Sequence, residues 1–270
     1  MAATLLSIEP YIRMTAFGTV LVLMALLELA APRRLQAHGR AARWPSNFSL
    51  VAISALCVKL VYPITAIGLA VWLEANGYGL LNVMRVPGWL ALVVSVAVLD
   101  LVIYVQHVAF HHVPVLWRLH RMHHADLEFD VTTGVRFHPV EIVLSMAIKL
   151  AAVAVLGAPA LGVLLFEVLL NATALFNHSN VKLPLGLDRV LRCLVVTPDM
   201  HRVHHSIEAR ETHSNFGFSL PWWDRLFGTY RDQPAAGHDG MTIGLPVFRH
   251  PVEMRLDRLL TQPWRQPPSA

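Results

Sequence analysis

Residues 88–112 read GWLALVVSVAVLDLVIYVQHVAFHH, an apolar run that ends in histidines. From 88 to 106 its one charge is Asp100, and a bilayer crossing needs about 20 mostly apolar residues. Where the run stops being apolar, His107 and His111 stand four positions apart. Residues so spaced share one helix face and can bind a single ion together. His112 lies about 100° further round the helix and points away from that pair. One segment thus spans a membrane and presents a chelating pair at its end.

The rest of the chain extends this pattern. Its 270 residues are 55% hydrophobic and 15% charged, against about 25% charged in soluble domains. The shortfall lies in further apolar runs at 12–30, at 48–73 (interrupted by Lys59 and Pro63) and at 142–176. Gly157-Ala158-Pro159 divides the last run into halves that read as a tight helical hairpin dipping into the bilayer. The first run reads as a retained helix and not a signal peptide, because Glu9 precedes it and Pro32, Arg33 and Arg34 follow at once. The expected fold is therefore all-α: an integral membrane bundle of three long helices plus a hairpin, with a cytosolic histidine-rich helical cap. Residues 1–106 would form the N-terminal transmembrane helices. Residues 107–270 would form the histidine-bearing region, with the hairpin at 142–177 and a C-terminal cap, all in one functional domain. The stretch 185–195 reads as either an interfacial amphipathic helix or an ordinary helix of the cap, and the tail from Gln266 to Ala270 as disordered. A net charge of +4 is too mild for nucleic-acid binding. Cys57 and Cys193 form no CxxC pair, which excludes a disulfide framework and a cysteine metal site.

Arginine placement orients the bundle. The loop after the first helix holds Arg33, Arg34, Arg40 and Arg43 with no acid, so it belongs in the cytoplasm; the next, with Glu74 and Arg85, is balanced and faces out. The third helix then runs inward to His107, and the hairpin leaves and returns to His178. Every histidine group is predicted on the cytoplasmic side.

Three more groups follow the first: His120-Arg-Met-His123-His124, His178 within Phe176-Asn-His-Ser-Asn180, and His201-Arg-Val-His204-His205. A lone histidine near a membrane interface is usually a satisfied polar tip. Packing has no use for three on one stripe, twice, since each unsatisfied buried imidazole costs about 1–3 kcal/mol. Nine are also too many for one ion, so two ions with four or five each are expected. Imidazole suits iron, copper, nickel and zinc alike. Asp126 and Asp199 are candidates to support the ligands from behind, or equally to be salt-bridge partners, with Asp100 and Glu141 less favoured. His138 reads as a tenth ligand or a residue bonded to one. Lys59, Asp100, Lys149 and Glu167 are intramembrane charges, a functional flag by default, although pairing across helices is the plainer account of each. His213, His238 and His250 stand alone and are assigned no role.

The order HxxxH, HxxHH, a lone histidine in Asn-His-Ser-Asn, then HxxHH resembles the fatty acid hydroxylase/sterol desaturase superfamily, whose members are membrane-bound, histidine-box di-iron oxygenases. Segments 116–120, Arg136-Phe-His-Pro-Val-Glu141, Thr197-Pro-Asp-Met-His201, Asn215-Phe-Gly217 and 223–230 add to the likeness, which runs from about 100 to 230. The resemblance implies that His107, His111, His120, His123, His124, His178, His201, His204 and His205 hold two iron ions, with zinc able to replace them in purified protein. No catalytic residue beyond the metal ligands is implied. It further implies hydroxylation or desaturation of an unactivated C–H bond in a lipid, sterol-like or fatty acyl. The reaction would use O2 and two electrons from a separate ferredoxin- or cytochrome-type donor with its reductase. The family's usual Arg after the first histidine is Val108 here. Arg118, Arg121 and Arg202 are expected to dock an acidic carrier. Two other readings compete: a metal-transporting or metal-storing membrane protein without redox turnover, and a binding or regulatory protein that kept the metal site alone. A transporter should carry its ligands at mid-membrane.

Overall fold

The computed structural model describes residues 2–266, so the expectation for the tail at 267–270 falls outside the described residues. Its regular elements are all helices, with two isolated β-bridges and no strand among the described residues. Among the described residues, five stretches are long and apolar enough to cross a membrane: Thr4–Ala30, Arg40–Val83, Gly88–His112, Pro139–Leu156 and Ala160–Asn177. The second is not one helix. It breaks around Pro63 into α2 (Arg40–Val61) and α3 (Ala66–Asn76), followed by the short α4 (Leu80–Val83). Proline lacks the N–H that would continue the ladder.

Around these pack α1 (Ala2–Ala30), α5 (Gly88–His112), α7 (Pro139–Leu156) and α8 (Ala160–Asn177). Ile67, Leu99, Val153, Val163 and Phe166 join α3, α5, α7 and α8 in one apolar core. Val22, Leu26, Val93, Val105 and Val155 point outward and stay exposed, as lipid-facing side chains do. The α7–α8 turn packs against the turn before α4, where Gly157 has φ 66° and Gly79 φ 92°. A Cβ on Gly79 would lie 2.2 Å from the Gly157 Cα, so only two glycines let these backbones touch.

The hairpin is not a tight pair. α7 leans on α2, α3 and α5, whereas α8 leans on α1, α3 and α5. With α3 and α5 packed against both arms, α7 and α8 part, and a cavity occupies the space between them.

At the opposite end, α6 (Pro114–His124) follows α5 after Val113 alone. Pro114 cannot extend α5 but suits the first turn of a new helix, so the chain folds back on itself there. The cap is completed by α9 (Leu185–Leu191), α10 (Pro198–His204), α11 (Ala209–Thr212), α12 (Trp222–Leu226), α13 (Gly237–Gly240) and α14 (Leu256–Thr261). The arginine-rich loop sits at this same end. The Arg34 N–H donates to Asn180 Oδ1 at 3.1 Å, and Arg43 donates twice to Asp126, at 2.8 and 2.7 Å.

Candidate metal centre

The fold-back of α6 onto α5 lays His120 and His124 against His107 and His111, and α10 adds His204. Their nitrogens all fall within 4.8 Å of one another. Beside this group, on the same stripe of α6, His123 gathers with His178, His201 and His205 under the same limit. So the nine histidines singled out from the sequence form adjoining groups of five and four. None is more than 4% exposed. His112, as its angle predicts, stands exposed outside both and stacks on His213 with ring centroids 5.1 Å apart.

Backbone and carboxylate acceptors decide which nitrogen of each ring carries hydrogen. His107 Nδ1–H donates to the Phe216 carbonyl at 2.7 Å, His204 Nδ1–H to Ser214 at 2.7 Å and His178 Nδ1–H to Ala174 at 2.8 Å. His120 Nδ1–H donates to Glu141 Oε1 at 2.7 Å, and His123 Nδ1–H to the Arg136 carbonyl at 3.3 Å. Each such ring then turns a bare Nε2 lone pair inward. His107 Nε2 lies 3.1 Å from the Nε2 of both His120 and His204. His178 Nε2 lies 3.1 Å from those of His123 and His201.

Where both rings have given Nδ1–H outward, as His107 with His120 and His204 and His178 with His123, the facing lone pairs have no proton to share and repel one another, and a cation between them removes the conflict. The spacing suits one. Nitrogens about 2.1 Å from a shared ion and 90–110° apart sit roughly 3.0–3.4 Å from each other. His111 and His205 have no hydrogen-bond partner at either ring nitrogen, and His124 has none at Nε2. Buried polar atoms normally find partners. The donor set therefore fits metal, and burial holds it ready. Desolvation, then the neighbouring rings, lowers His123, His124, His201 and His205 well below the ordinary histidine value. Burial alone brings His120 to about 3, and burial first also brings His178 to about 3. Neutral rings are the form that binds metal.

The supports behind the rings differ from expectation. Asp126 hydrogen-bonds no histidine. Burial raises its carboxyl, but Arg43 and Arg136 outweigh that and hold it at about 2. Asp199 is paired with Arg202 and with Arg33 at 3.3 Å. Asp126 is taken by Arg43 of α2, and Asp199 by Arg202 of its own helix together with Arg33. His138 stands apart from both groups; it accepts the Val140 N–H at the start of α7, and its Nε2 bonds the Leu260 carbonyl. The carboxylate that does meet a ring is Glu141, one α-helical turn into the arm that follows His138. Its signal was present in the sequence, in Arg136-Phe-His-Pro-Val-Glu141, but its partner lies 21 positions away.

A second support escaped the sequence reading. Asn215 adopts φ 53°, and its side chain donates to the carbonyls of Met200 and Arg231 at 2.9 and 2.8 Å. Asp224 accepts the N–H groups of Phe216 and Gly217, each at 2.8 Å. Together they fix the Phe216 carbonyl that holds His107. Asn215-Phe-Gly217 and the segment around Asp224 are thus halves of one clamp.

Of the three arginines expected to face a carrier, Arg121 and Arg202 are buried and Arg118 is exposed. Arg202 is fully buried against Asp199. Arg121 donates to the carbonyls of Gln262 and Arg265, both at 2.7 Å, and Arg118 to that of Pro263 at 2.7 Å. The C-terminal segment thus lies over α6 and takes up donors of Arg121 and the Nε–H of Arg118, while Arg118 itself stays exposed.

A cavity of about 830 Å³ runs between the membrane helices and ends at His107 and His120, with walls that include Phe17, Val51, Ile103 and Met146. Its size falls within the roughly 300–1,000 Å³ typical of ligand sites.

Fold and site define a membrane protein built around a buried polyhistidine centre fit for metal. The chain belongs to the fatty acid hydroxylase family, whose model matches residues 92–229. It is 30% identical over 142 residues to ornithine lipid hydroxylase OlsE of Rhizobium tropici, an alignment covering 53% of this chain and 42% of that protein. It is 26% identical over 158 residues to human alkylglycerol monooxygenase, covering 57% and 34% respectively. Fatty acid hydroxylase vlmA of a Lecanicillium species is 26% identical over 181 residues, covering 62% and 49%. The chain spans less than half the length of these curated relatives. No solved structure matches it significantly.

Proposed function

We propose that this protein is a membrane-bound non-haem di-iron oxygenase that hydroxylates an unactivated C–H bond of a lipid with O2 and two electrons. The observation that carries the reading is the set of Nε2 lone pairs, 3.1 Å apart, whose rings have already committed their Nδ1 hydrogens outward. His107, His111, His120, His124 and His204 would hold one ion, and His123, His178, His201 and His205 the other. Bound there, iron would supply the O2 activation and one-electron chemistry that a C–H bond without a polar handle requires. Hydroxylation is favoured over desaturation because the similar proteins are named as lipid hydroxylases and a monooxygenase.

The chain's own residues do the positioning. Glu141 and the carbonyls of Phe216, Ser214, Ala174 and Arg136 hold five rings in one tautomer and orientation. Phe216, Phe218 and Phe137 pack against the rings and keep bulk water from them. The apolar cavity binds the lipid so that one carbon stops beside His107 and His120. We read residues 1–106 and 107–270 as one functional domain, with the histidine end in the cytoplasm because the arginine-rich loop shares it. Electrons would come from a separate ferredoxin- or cytochrome-type donor on that side.

The test is metal analysis of the purified protein together with lipid profiling of a deletion strain. We expect two irons per chain and loss of a hydroxylated lipid on deletion. A single zinc, bound equally well without His201 or His204, would defeat the proposal.

A further inference from the structure

The cavity is not apolar along its whole length. Arg13, Lys59, Lys149 and Glu167 also line it, away from Glu141 at the histidine end, so three cations share the wall with two carboxylates. Glu167 pairs with Lys149 across the parted hairpin and with Arg13 of α1 at 3.3 Å. Arg13 also meets Glu9 at 3.2 Å. Pairing explains how the bundle tolerates Arg13, Lys149 and Glu167, whereas Lys59 is exposed. Pairing does not explain why they stand on the wall of the cavity, where apolar side chains would seal α7 against α8 at lower cost.

Depth can be read along the helices. Glu141, bonded to His120, and Lys149 are eight residues apart on α7, about 12 Å at 1.5 Å per residue. Glu167 and His178 are eleven positions apart along α8, about 16 Å. The polar network thus lies about 12–16 Å along these helices from the histidine end. It is also rich in donors. An ammonium has three N–H groups, and Glu167 is the one acceptor bonded to Lys149. The Arg13 Nε–H is buried without a partner.

The geometry points to Lys149, Glu167 and Arg13 as a polar anchor within the cavity, which accepts the oxygen-bearing end of a lipid and thereby sets which carbon stops at the histidine centre. This rests on the lipid-oxidising reading and adds a ruler to it. An extended chain gains roughly 1.2 Å per bond, so the anchor and the reacting carbon are about ten to thirteen bonds apart. The ligand chemistry is a hydrogen-bond-accepting oxygen, as a hydroxyl or a carboxylate. Lys149 and Arg13 are positioning residues; they hold the lipid and do not touch its reacting carbon.

Binding separates this inference from turnover. Radiolabelled hexadecan-1-ol, hexadecanoic acid and hexadecane would each be presented to the purified full chain in detergent. We expect the alcohol, the acid or both to be retained well above hexadecane, the preferred one showing whether a neutral or an anionic oxygen is read. Lys149→Met should weaken that retention about tenfold or more, since a charge-assisted hydrogen bond is lost. Lys149→Arg should restore most of it, and Val155→Met, on the exposed face of α7, should leave it unchanged. Equal retention of hexadecane by the wild-type protein, no retention of either oxygen-bearing probe, or unaltered binding by a folded Lys149→Met protein would each overturn the anchor. The hexadecane comparison needs no variant, so it decides even where Lys149→Met does not fold. Probe retention without oxidation by the iron-loaded protein would instead count against the oxygenase reading.

Discussion

Replacing Glu141 with leucine removes the acceptor from His120 Nδ1 while keeping a side chain of similar size. The hydrogen bond is 2.7 Å long, and the two side chains are only 2% and 5% exposed, so water cannot take the carboxylate's place. Leaving a buried donor without its partner costs about 1–3 kcal/mol, and at 1.4 kcal/mol per tenfold this is roughly 5- to 150-fold in an equilibrium constant. Loss of a partner behind a metal-bound histidine is typically about 10–100-fold, the same range. The effect should fall on one ion, because His120 belongs to the group of five and His123, His178, His201 and His205 form the other. Titration with a competing chelator, followed by elemental analysis, should show one site weakened by that factor and the other intact. Glu141→Gln, which keeps an acceptor oxygen in the same place, should fall between leucine and wild type. Two ions bound with wild-type affinity by Glu141→Leu would refute the claim that this carboxylate holds the ring.

Three further outcomes follow from the same geometry. Gly134→Ala would set a Cβ 2.6 Å from the Ala174 carbonyl and 3.2 Å from His178 Nδ1, so melting temperature and metal content of the second group should both drop, whereas equal values in wild type and variant would contradict the contact. His111→Ala should lose metal and His112→Ala should keep it, because His111 is buried in the group of five and His112 is exposed; equal loss in elemental analysis would contradict the assignment. For pH, burial lowers His120 and His178 from 6.5 to about 3 in the folded chain. The unfolded chain then binds more protons between those values, so metal-free stability is full above pH 6.5 and falls as pH drops toward 3, by about 1.4 kcal/mol per pH unit for each such ring. A thermal-shift series on metal-free protein that stays flat from pH 7 to 5 would count against neutral buried rings.

The difference between what could be read early and what could not lies in range. Membrane helices were legible because length and apolarity are local properties, and the i, i+4 rule placed His107 with His111 and set His112 apart. The parting of α7 from α8 was not legible, since it depends on α3 and α5 packing against both arms. The roles of Asp126 and Asp199 were open for the same reason: nearness in sequence to a histidine group does not reveal that Arg43, 83 positions from Asp126, reaches it first.

The sequence by itself determined that nine imidazoles would sit at membrane helix ends and in the adjoining cap, because helical periodicity and hydropathy act over a few residues. Only the tertiary structure decided how those nine divide into five and four, which acceptors set their tautomers, and that charged residues share a cavity with them. Each of those facts joins residues from separate helices, and such contacts exist only once the helices pack.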